Sequence, residues 1–266
     1  MNPGKAWIAF LIIGATGCAA TRAPGPEALA VQSSMPPDPK PTIVLVHGAF
    51  ADASSWDKVI GLLQPEGYTV VAVQNAMTSF DGDVTTTERA IEAQTPPVVL
   101  VGHSYAGAVI GAAARGSAKV RALVFVAAFG LEEGETVNSA GAKFPPPPLS
   151  TAVKQDSSGF LSVEPAKFEI FASDVPTAER NVLAATQKPV LGSIFDVRMP
   201  APAWKTIPSF FMVAEKDEAI NPDFERFMAK RMGATTTEVD SSHLVMVSHP
   251  DAVALFIRRA AEVASR

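Results

Sequence analysis

Residues 98–107 read Val-Val-Leu-Val-Gly-His-Ser-Tyr-Ala-Gly. The apolar run from Val98 to Val101 predicts a buried strand, and the small residues from Ala108 to Ala114 predict a packed helix. Between them, glycines stand two residues before and three residues after Ser104. A strand, a serine flanked by glycines and a helix are typical of a strained turn that exposes a serine hydroxyl. Ser104 is therefore a candidate nucleophile for acyl transfer.

The composition is that of one domain of α/β size. The chain has 266 residues, of which 47% are apolar and 18% charged, so it can bury a sizeable core. The net charge is -5, and there is no run of Lys or Arg, so we expect no nucleic-acid partner. Cys18 is the single cysteine, which excludes an internal disulfide and a zinc–thiolate cluster.

The first 17 residues have the pattern of an export signal. Lys5 is followed by a short apolar run from Ala6 to Ile13, and small residues then lead to Cys18. The segment resembles a bacterial lipoprotein signal, although Ala15 stands where leucine is more usual. The resemblance implies cleavage before Cys18, lipid on its thiol, and a location in the bacterial cell envelope, at the outer membrane or the periplasmic face. An ordinary secretory signal is the alternative.

Residues 18–41 are rich in Ala, Pro and Ser and predict a tether, so membrane contact is expected only through the lipid anchor. From residue 42 onward, short apolar runs alternate with helical patterns, which favours one domain, 42–266, with a mostly parallel, doubly wound sheet. The predicted strands are 43–46, 69–73, 98–101, 120–126, 209–213 and 235–239. The predicted helices are 81–93, 108–114, 222–232, 250–263 and one over 54–64, capped by Ser54 or Ser55. The pattern breaks over about 130–204, where we predict a lid insertion.

A serine nucleophile needs a histidine base. Of the four histidines, His243 follows a predicted strand, where a parallel sheet presents its catalytic groups, and is the favoured base. His249 precedes a helix and is the alternative. His103 lies beside the nucleophile and should point away from it, while His47 ends the first strand and should support the turn there.

The histidine needs an acid that holds its tautomer. Asp217 lies a few residues beyond the end of a strand and gives the order Ser, Asp, His. Glu215 and Glu218 share this loop and stay open as alternatives. Glu132 or Glu133, after an earlier strand, is the fallback.

The oxyanion of an acyl-transfer intermediate needs two donors. One should be the amide of Tyr105, at the start of the helix after Ser104, where the helix dipole favours negative charge. The other should come from the loop after His47, with the Ala49 amide preferred and the Phe50 amide as the alternative.

Four motifs together resemble the α/β-hydrolase superfamily, and most closely its branch of plant salicylic-acid-binding methylesterases and hydroxynitrile lyases. The motifs are His47-Gly48-Ala49-Phe50, Gly102-His103-Ser104-Tyr105-Ala106-Gly107, Glu215-Lys216-Asp217-Glu218-Ala219-Ile220 and Ser242-His243-Leu244-Val245-Met246. The resemblance covers residues 42–265 and implies the α/β-hydrolase fold with a lid. It places the triad at Ser104, Asp217 and His243 and the oxyanion amides at Ala49 and Tyr105, and it implies neither a cofactor nor a metal.

The expected activity is that of a serine carboxylic ester hydrolase, which acts on small to medium esters through an acyl-enzyme. A lactonase or thioesterase with the same triad is the alternative, and a non-catalytic protein that binds small ligands is the alternative of another class. A hydroxynitrile lyase is disfavoured, because the family's lysine after the catalytic histidine is replaced by Leu244.

Six aromatic residues in the predicted lid are candidates for an apolar substrate pocket, although packing within the lid itself is the more usual role of such residues. They are Phe144, Phe160, Phe168, Phe171, Phe195 and Trp204. The sequence does not indicate an oligomeric state.

Overall fold

A computed structural model describes residues 40–266 of the chain. The predicted signal peptide, Cys18 and nearly all of the predicted tether lie outside the described residues. Between Lys40 and Arg266, no helix is both long enough and apolar enough to cross a lipid bilayer.

A six-stranded sheet forms the centre of the described part. Its strands are β1 (Thr42–Val46), β2 (Val70–Val73), β3 (Val98–Ser104), β4 (Val120–Ala128), β8 (Ser209–Ala214) and β9 (Thr235–Val239), with three strands of another sheet between β4 and β8. The strand order is β2-β1-β3-β4-β8-β9, and every neighbouring pair is parallel. The predicted α/β fold with a mostly parallel sheet is confirmed.

Burial explains why the strand sequences look as they do. All residues of β1, β3 and β8 are buried, and only Arg121 of β4 is exposed, so the central strands are nearly continuous apolar runs. The outermost strand β9 has no buried residue, and it carries threonines and a glutamate instead. Helices therefore cover both faces of the centre of the sheet.

Eight helices accompany the sheets in residues 40–266. They are α1 (Asp57–Leu63), α2 (Phe80–Glu92), α3 (Ala106–Ala113), α4 (Val137–Ala140), α5 (Thr177–Thr186), α6 (Pro222–Arg231), α7 (Val245–Ser248) and α8 (Pro250–Ala264). Right-handed crossovers place α1 on one face and α2 and α3 on the other. Helix α8 packs against α1, and α2 packs against α3.

The predicted cap of the first helix is wrong. Asp52, not Ser54 or Ser55, caps this region, because its carboxylate accepts hydrogen bonds from the amide of Ser54 at 2.8 Å and from its hydroxyl at 2.6 Å. A 3₁₀ turn, Ala53–Trp56, comes first, and α1 then ends at Leu63. Pro65 lies in the 3₁₀ turn that follows, Gln64–Glu66.

The chain between β4 and β8 contains more structure than its sequence indicates. Besides α4 and α5, it forms a second, antiparallel sheet of β5 (Val153–Gln155), β6 (Phe160–Val163) and β7 (Val190–Leu191), in that order. These strands are two to four residues long, too short for an alternating apolar pattern to be recognised. Their pairing depends on contacts between residues far apart in the sequence.

The strand order creates one crevice at the carboxyl edge of the main sheet. From β1 the chain moves outward to β2, and from β3 it moves outward in the other direction. The loops that follow the neighbouring strands β1 and β3 therefore run in opposite directions and leave a crevice between them. Ligands bind at such a crevice in open α/β sheets. Ser104 ends β3 and His47 follows β1 directly, so both predicted functional segments meet at this crevice.

Candidate active site

Ser104 occupies a strained backbone position at the end of β3. Its φ is +55°, in the left-handed region that side chains other than glycine rarely adopt. The flanking glycines Gly102 and Gly107 are required by close packing rather than by backbone strain. A Cβ on Gly102 would lie 2.7 Å from the carbonyl oxygen of Ala106, and one on Gly107 would lie 2.7 Å from that of Phe129. The glycines thus permit close approach of neighbouring backbone, and the turn holds the serine side chain at the crevice.

The loop after β1 approaches Ser104 closely. A Cβ on Gly48 would lie 2.7 Å from the Cβ of Ser104, so only glycine fits between them. Phe50 also has a positive φ, +60°. Ala49, Phe50 and Tyr105 all line the same cavity as Ser104, and within residues 40–266 their amides donate no hydrogen bond. These amides are available to a ligand atom.

His243 and Asp217 form a fully buried pair beside Ser104. Nδ1 of His243 lies 2.5 Å from Oδ2 of Asp217, and neither side chain is exposed to solvent. The other carboxylate oxygen, Oδ1, accepts the amides of Ala219 at 2.6 Å and Ile220 at 2.8 Å. Nε2 of His243 has no hydrogen-bond partner among the described residues, and both His243 and Ser104 line the cavity. Asp217 therefore orients the imidazole through Nδ1, and Nε2 is left unpaired within the described part of the chain.

The alternative acids lie elsewhere. Glu215 is exposed, and Glu218 is half-buried beside the cavity loop, with its carbonyl accepting the amide of Leu149. Glu132 pairs with Lys205 at the surface, and Glu133 is exposed. Only Asp217 of the five candidates contacts His243 in the described part of the chain.

The other histidines have different surroundings. Nε2 of His103 lies 3.0 Å from the carbonyl oxygen of His243, and the two rings are 4.6 Å apart. Burial, together with the nearby His243, lowers the pKa of His103 well below its ordinary value, so this ring is neutral. His47 is also fully buried, and burial lowers its pKa to about 4. His249 is partly exposed and does not line the cavity.

Sequence reasoning missed Asp174, which holds the loop that carries His243. Its carboxylate accepts the hydroxyls of Ser241, at 2.9 Å, and Ser242, and also the amide of Ser242 at 3.1 Å. It also lies 3.4 Å from Nδ1 of His249. Burial alone would raise the pKa of Asp174, but the hydrogen bonds from Ser242 and Ser241 outweigh it and lower the pKa. No local pattern around Asp174 points to this role, because its partners are nearly 70 residues away.

Two buried carboxyls were also missed. Asp83 accepts the hydroxyl of Tyr105 at 3.1 Å and the amide of Met77 at 3.1 Å, and burial raises its pKa. Glu225 of α6 is completely buried next to Asp217. A signal for Glu225 does exist in the sequence, since it precedes Met228 and Ala229 at helical spacing and so occupies a position of the apolar face.

The cavity in front of Ser104 has a volume of about 590 Å³. Its described lining contains no Asp, Glu, Lys or Arg, and apart from Ser104, Tyr105 and His243 the polar side chains are those of Asn138, Ser150 and Asn221. Aromatic rings dominate the wall, and they belong to Phe50, Tyr105, Phe129, Phe144, Phe171, Phe195 and Phe224. The site is suited to an uncharged, largely apolar ligand.

The six lid aromatics divide into two groups. Phe144, Phe171 and Phe195 line the cavity, whereas Phe160, Phe168 and Trp204 do not. Phe168 is buried against Phe171, and the indole N–H of Trp204 donates to the carbonyl of Leu131 at 2.9 Å. Within residues 40–266, no cluster of three or more His, Cys, Asp or Glu side chains is arranged to hold a metal ion.

Comparison with known proteins identifies the family. Residues 43–254 match the model of the alpha/beta hydrolase family, which is most of the chain. The chain belongs to this family. The six-stranded parallel sheet with flanking helices is accordingly the alpha/beta hydrolase fold.

Relatives of this alpha/beta hydrolase include an esterase. The alpha/beta hydrolase nvfD of Aspergillus novofumigatus is 25% identical over 244 residues, 84% of this chain and 97% of that protein. Methylesterase 8 of Arabidopsis thaliana is 27% identical over 216 residues, 71% of this chain and 77% of that protein. Among solved structures, a pyrethroid hydrolase from Sphingobium faniae superposes with a TM-score of 0.73 at 21% identity, covering 84% of this chain and 97% of its own.

Proposed function

We propose that this alpha/beta hydrolase is a serine carboxylic ester hydrolase for uncharged, apolar esters. The observation that carries the proposal is the fully buried His243–Asp217 pair: Nε2 of His243 has no partner among the described residues, and His243 and Ser104 line the same cavity. A serine hydroxyl becomes a nucleophile when an oriented imidazole accepts its proton. The Arabidopsis methylesterase relative supports the same class of reaction.

In the proposed first half-reaction, Oγ of Ser104 attacks the acyl carbon and its proton passes to Nε2 of His243. Asp217 holds the proton on Nδ1 and stabilises the imidazolium. The oxyanion is bound by the amide of Tyr105 and by that of Ala49 or Phe50, and the N-terminus of α3 adds its positive dipole end. The alcohol then leaves with the proton from His243, and the acyl group stays on Ser104.

In the second half-reaction, water attacks the acyl-enzyme while His243 accepts its proton, and the same proton returns to Oγ of Ser104 as the acid is released. The cavity wall favours an uncharged substrate, because it offers no cation to pair with a substrate carboxylate. The acid product is anionic and finds no cation among the described lining residues, which favours its release.

The test is turnover of p-nitrophenyl esters and labelling by a fluorophosphonate. Ser104→Ala should lower kcat by about 10⁶-fold and abolish labelling, because attack requires this oxygen. Ser150→Ala is the matched control, since Ser150 lines the same cavity but lies outside the strand-to-helix turn, and this variant should still be labelled. Undiminished turnover in Ser104→Ala would show that another group performs the reaction.

The same purified protein separates the alternative activities. Turnover of lactones or thioesters above that of esters would assign one of those substrates to the site. Binding of an apolar ligand without turnover of any of the three would make the protein a binding protein. Release of cyanide from mandelonitrile would contradict the proposal, since Leu244 offers no cation to stabilise it.

We also propose that residues 1–17 are a lipoprotein-type signal and that Cys18 carries the lipid. The support is the sequence pattern alone. Three acyl chains at about 0.8 kcal/mol per buried methylene make dissociation from a membrane negligible. The full-length protein should fractionate with membranes, Cys18→Ser should block processing, and a chain starting at Pro36 should be soluble and equally active. Wild-type protein without acyl mass in the soluble periplasmic fraction would leave an ordinary secreted enzyme.

A further inference from the structure

Glu225 is a buried acid directly behind the proposed triad. It lies in the first turn of α6, the helix that follows the loop of Asp217, and its side chain has no exposure to solvent. The other acid of that turn, Asp223, is exposed. An isolated buried carboxylate is costly, so Glu225 needs partners that make its burial tolerable.

The partners of Glu225 are few. Its Oε2 accepts the amide of Ala214, the last residue of β8, at 3.1 Å, and its Oε1 has no donor among the described residues. Its carboxyl lies next to the carboxyl of Asp217, which is also buried. Two adjacent buried carboxylates would repel each other and could not hydrogen-bond, so burial favours a state in which one of the two groups is protonated.

The surroundings decide which group carries the proton. Asp217 accepts two backbone amides at Oδ1 and faces the N–H of His243 at Oδ2, so both of its oxygens already act as acceptors. Glu225 has one amide only. Arg226 is the nearby cation, but its guanidinium is bound to Glu238 and Asp223 at the surface. Burial and the charge of Asp217 raise the pKa of Glu225 well above its usual range.

We propose that Glu225 is a positioning residue, a neutral carboxylic acid that donates a hydrogen bond from Oε1 to the carboxylate of Asp217. This inference rests on the proposed function, because the group it positions is the acid of the proposed triad. It ties Asp217 to both β8 and α6, since Oε2 is held by Ala214 at the end of the strand.

The protonation state of Glu225 matters for His243. A second negative charge behind Asp217 would hold the proton on the imidazole and remove the general base at neutral pH. A neutral acid instead orients Asp217 without adding charge, so His243 faces a single carboxylate. Among residues 40–266, the charged and titratable groups around Glu225 are Asp217, His243 on the other side of Asp217, and Arg226.

The test compares Glu225→Gln and Glu225→Leu with wild type, and Asp223→Asn is the control on the same helix. Glutamine is neutral, has nearly the same shape and keeps an N–H donor, so this variant should retain the larger part of kcat and the wild-type midpoint of the acidic limb of kcat/KM. Leucine removes the donor, and loss of a hydrogen bond to a charged group should lower kcat about tenfold or more with little change in KM. The acidic limb should move to higher pH, because Asp217 then attracts the imidazolium more strongly.

Two spectroscopic measurements on the same proteins do not require turnover or the leucine variant. A stretching band of a protonated carboxyl should be present at neutral pH in wild type and lost in Glu225→Gln. The downfield proton signal of Nδ1 of His243, assigned with His243→Ala, should stay in place in Glu225→Gln and move in Glu225→Leu. Asp223→Asn should change neither signal.

Three results would overturn the inference. The first is absence of the protonated-carboxyl band from the wild-type spectrum. The second is a shift of the acidic limb of kcat/KM to lower pH in Glu225→Gln. The third is a Glu225→Leu variant in which kcat, the acidic limb and the Nδ1 proton signal are those of wild type. Failure of the proposed function is distinguishable from these results. In that case wild type would turn over no ester, but the carboxyl band and the Nδ1 proton signal would still report whether Glu225 is protonated.

Discussion

Acid should destabilise this protein through His47, the buried residue before the loop that approaches Ser104. The backbone amide of Asn75 points at its Nε2, at 3.1 Å, so Nε2 must accept and the ring proton must be on Nδ1. Nδ1 in turn lies 2.9 Å from the carbonyl oxygen of Gly48. A second proton can be added only at Nε2, where it would meet the N–H of Asn75. Burial lowers the pKa of His47 from 6.5 to about 4, although the Gly48 carbonyl opposes this.

The sign and size of the effect follow from linkage. Above pH 7 the ring is neutral in both states and contributes no pH dependence. Below the unfolded value of 6.5 the unfolded chain binds a proton that the folded chain does not, so the free energy of unfolding falls with pH. The loss due to His47 should reach about 1.4 kcal/mol at pH 5.5 and about 3 kcal/mol at pH 4.

The assay is urea unfolding of wild type and His47→Gln from pH 4 to pH 8. The glutamine carbonyl can accept the amide of Asn75 but does not titrate. The variant should be less stable at pH 8 by about 1 kcal/mol, for the lost bond to Gly48, and the difference should shift by about 3 kcal/mol in its favour at pH 4. His103 is present in both proteins and its pKa is lowered chiefly by burial, so most of its contribution cancels. Parallel stability curves over the whole range would refute the reasoning.

Two further substitutions test the geometry around the crevice. Gly48→Ala places a Cβ 2.7 Å from both Nδ1 of His103 and the Cβ of Ser104. The variant should therefore lose about 1–3 kcal/mol of folding stability, and its kcat should fall by a larger factor than its KM rises. An active variant with wild-type stability would show that the loop after β1 moves easily. Asp174→Ala should lower kcat about tenfold at similar KM, because the His243 loop loses its hydrogen bonds, whereas Asp174→Asn should keep part of the activity by accepting from Ser242. Equal kcat in both Asp174 variants and wild type would remove Asp174 from the positioning of that loop.

The strands of the main sheet could be predicted from the sequence because the apolar pattern of a buried strand is visible in its own residues. A strand covered on both faces needs apolar side chains at most positions, and β1, β3, β4 and β8 have nearly continuous apolar runs. The second sheet could not be predicted, since its strands of two to four residues pair through long-range contacts. Serine and aspartate are both good N-cap residues, so the local sequence does not distinguish Ser54 or Ser55 from Asp52. In the structure, Asp52 is the N-cap.

The candidate site divides in the same way. Ser104 follows from its own neighbours, because the turn that exposes it is built from consecutive residues. The acid does not, since Glu215, Asp217 and Glu218 share one loop, and only folding points the two amides and the imidazole at Asp217. The roles of these residues in catalysis stay predictions, and the substitutions above test them.

The sequence by itself determined the sheet, the order of the motifs and the serine at the end of β3, because local backbone sterics and apolar patterning control these features. The tertiary structure decided which acid meets His243, that Asp174 holds the histidine loop, and that Glu225 is buried behind Asp217. It also decided that the described residues lining the cavity include no Asp, Glu, Lys or Arg. Those features depend on contacts between side chains that are far apart in the sequence. Burial there removes water, so the energy of each polar group is determined by its new neighbours rather than by its residue type.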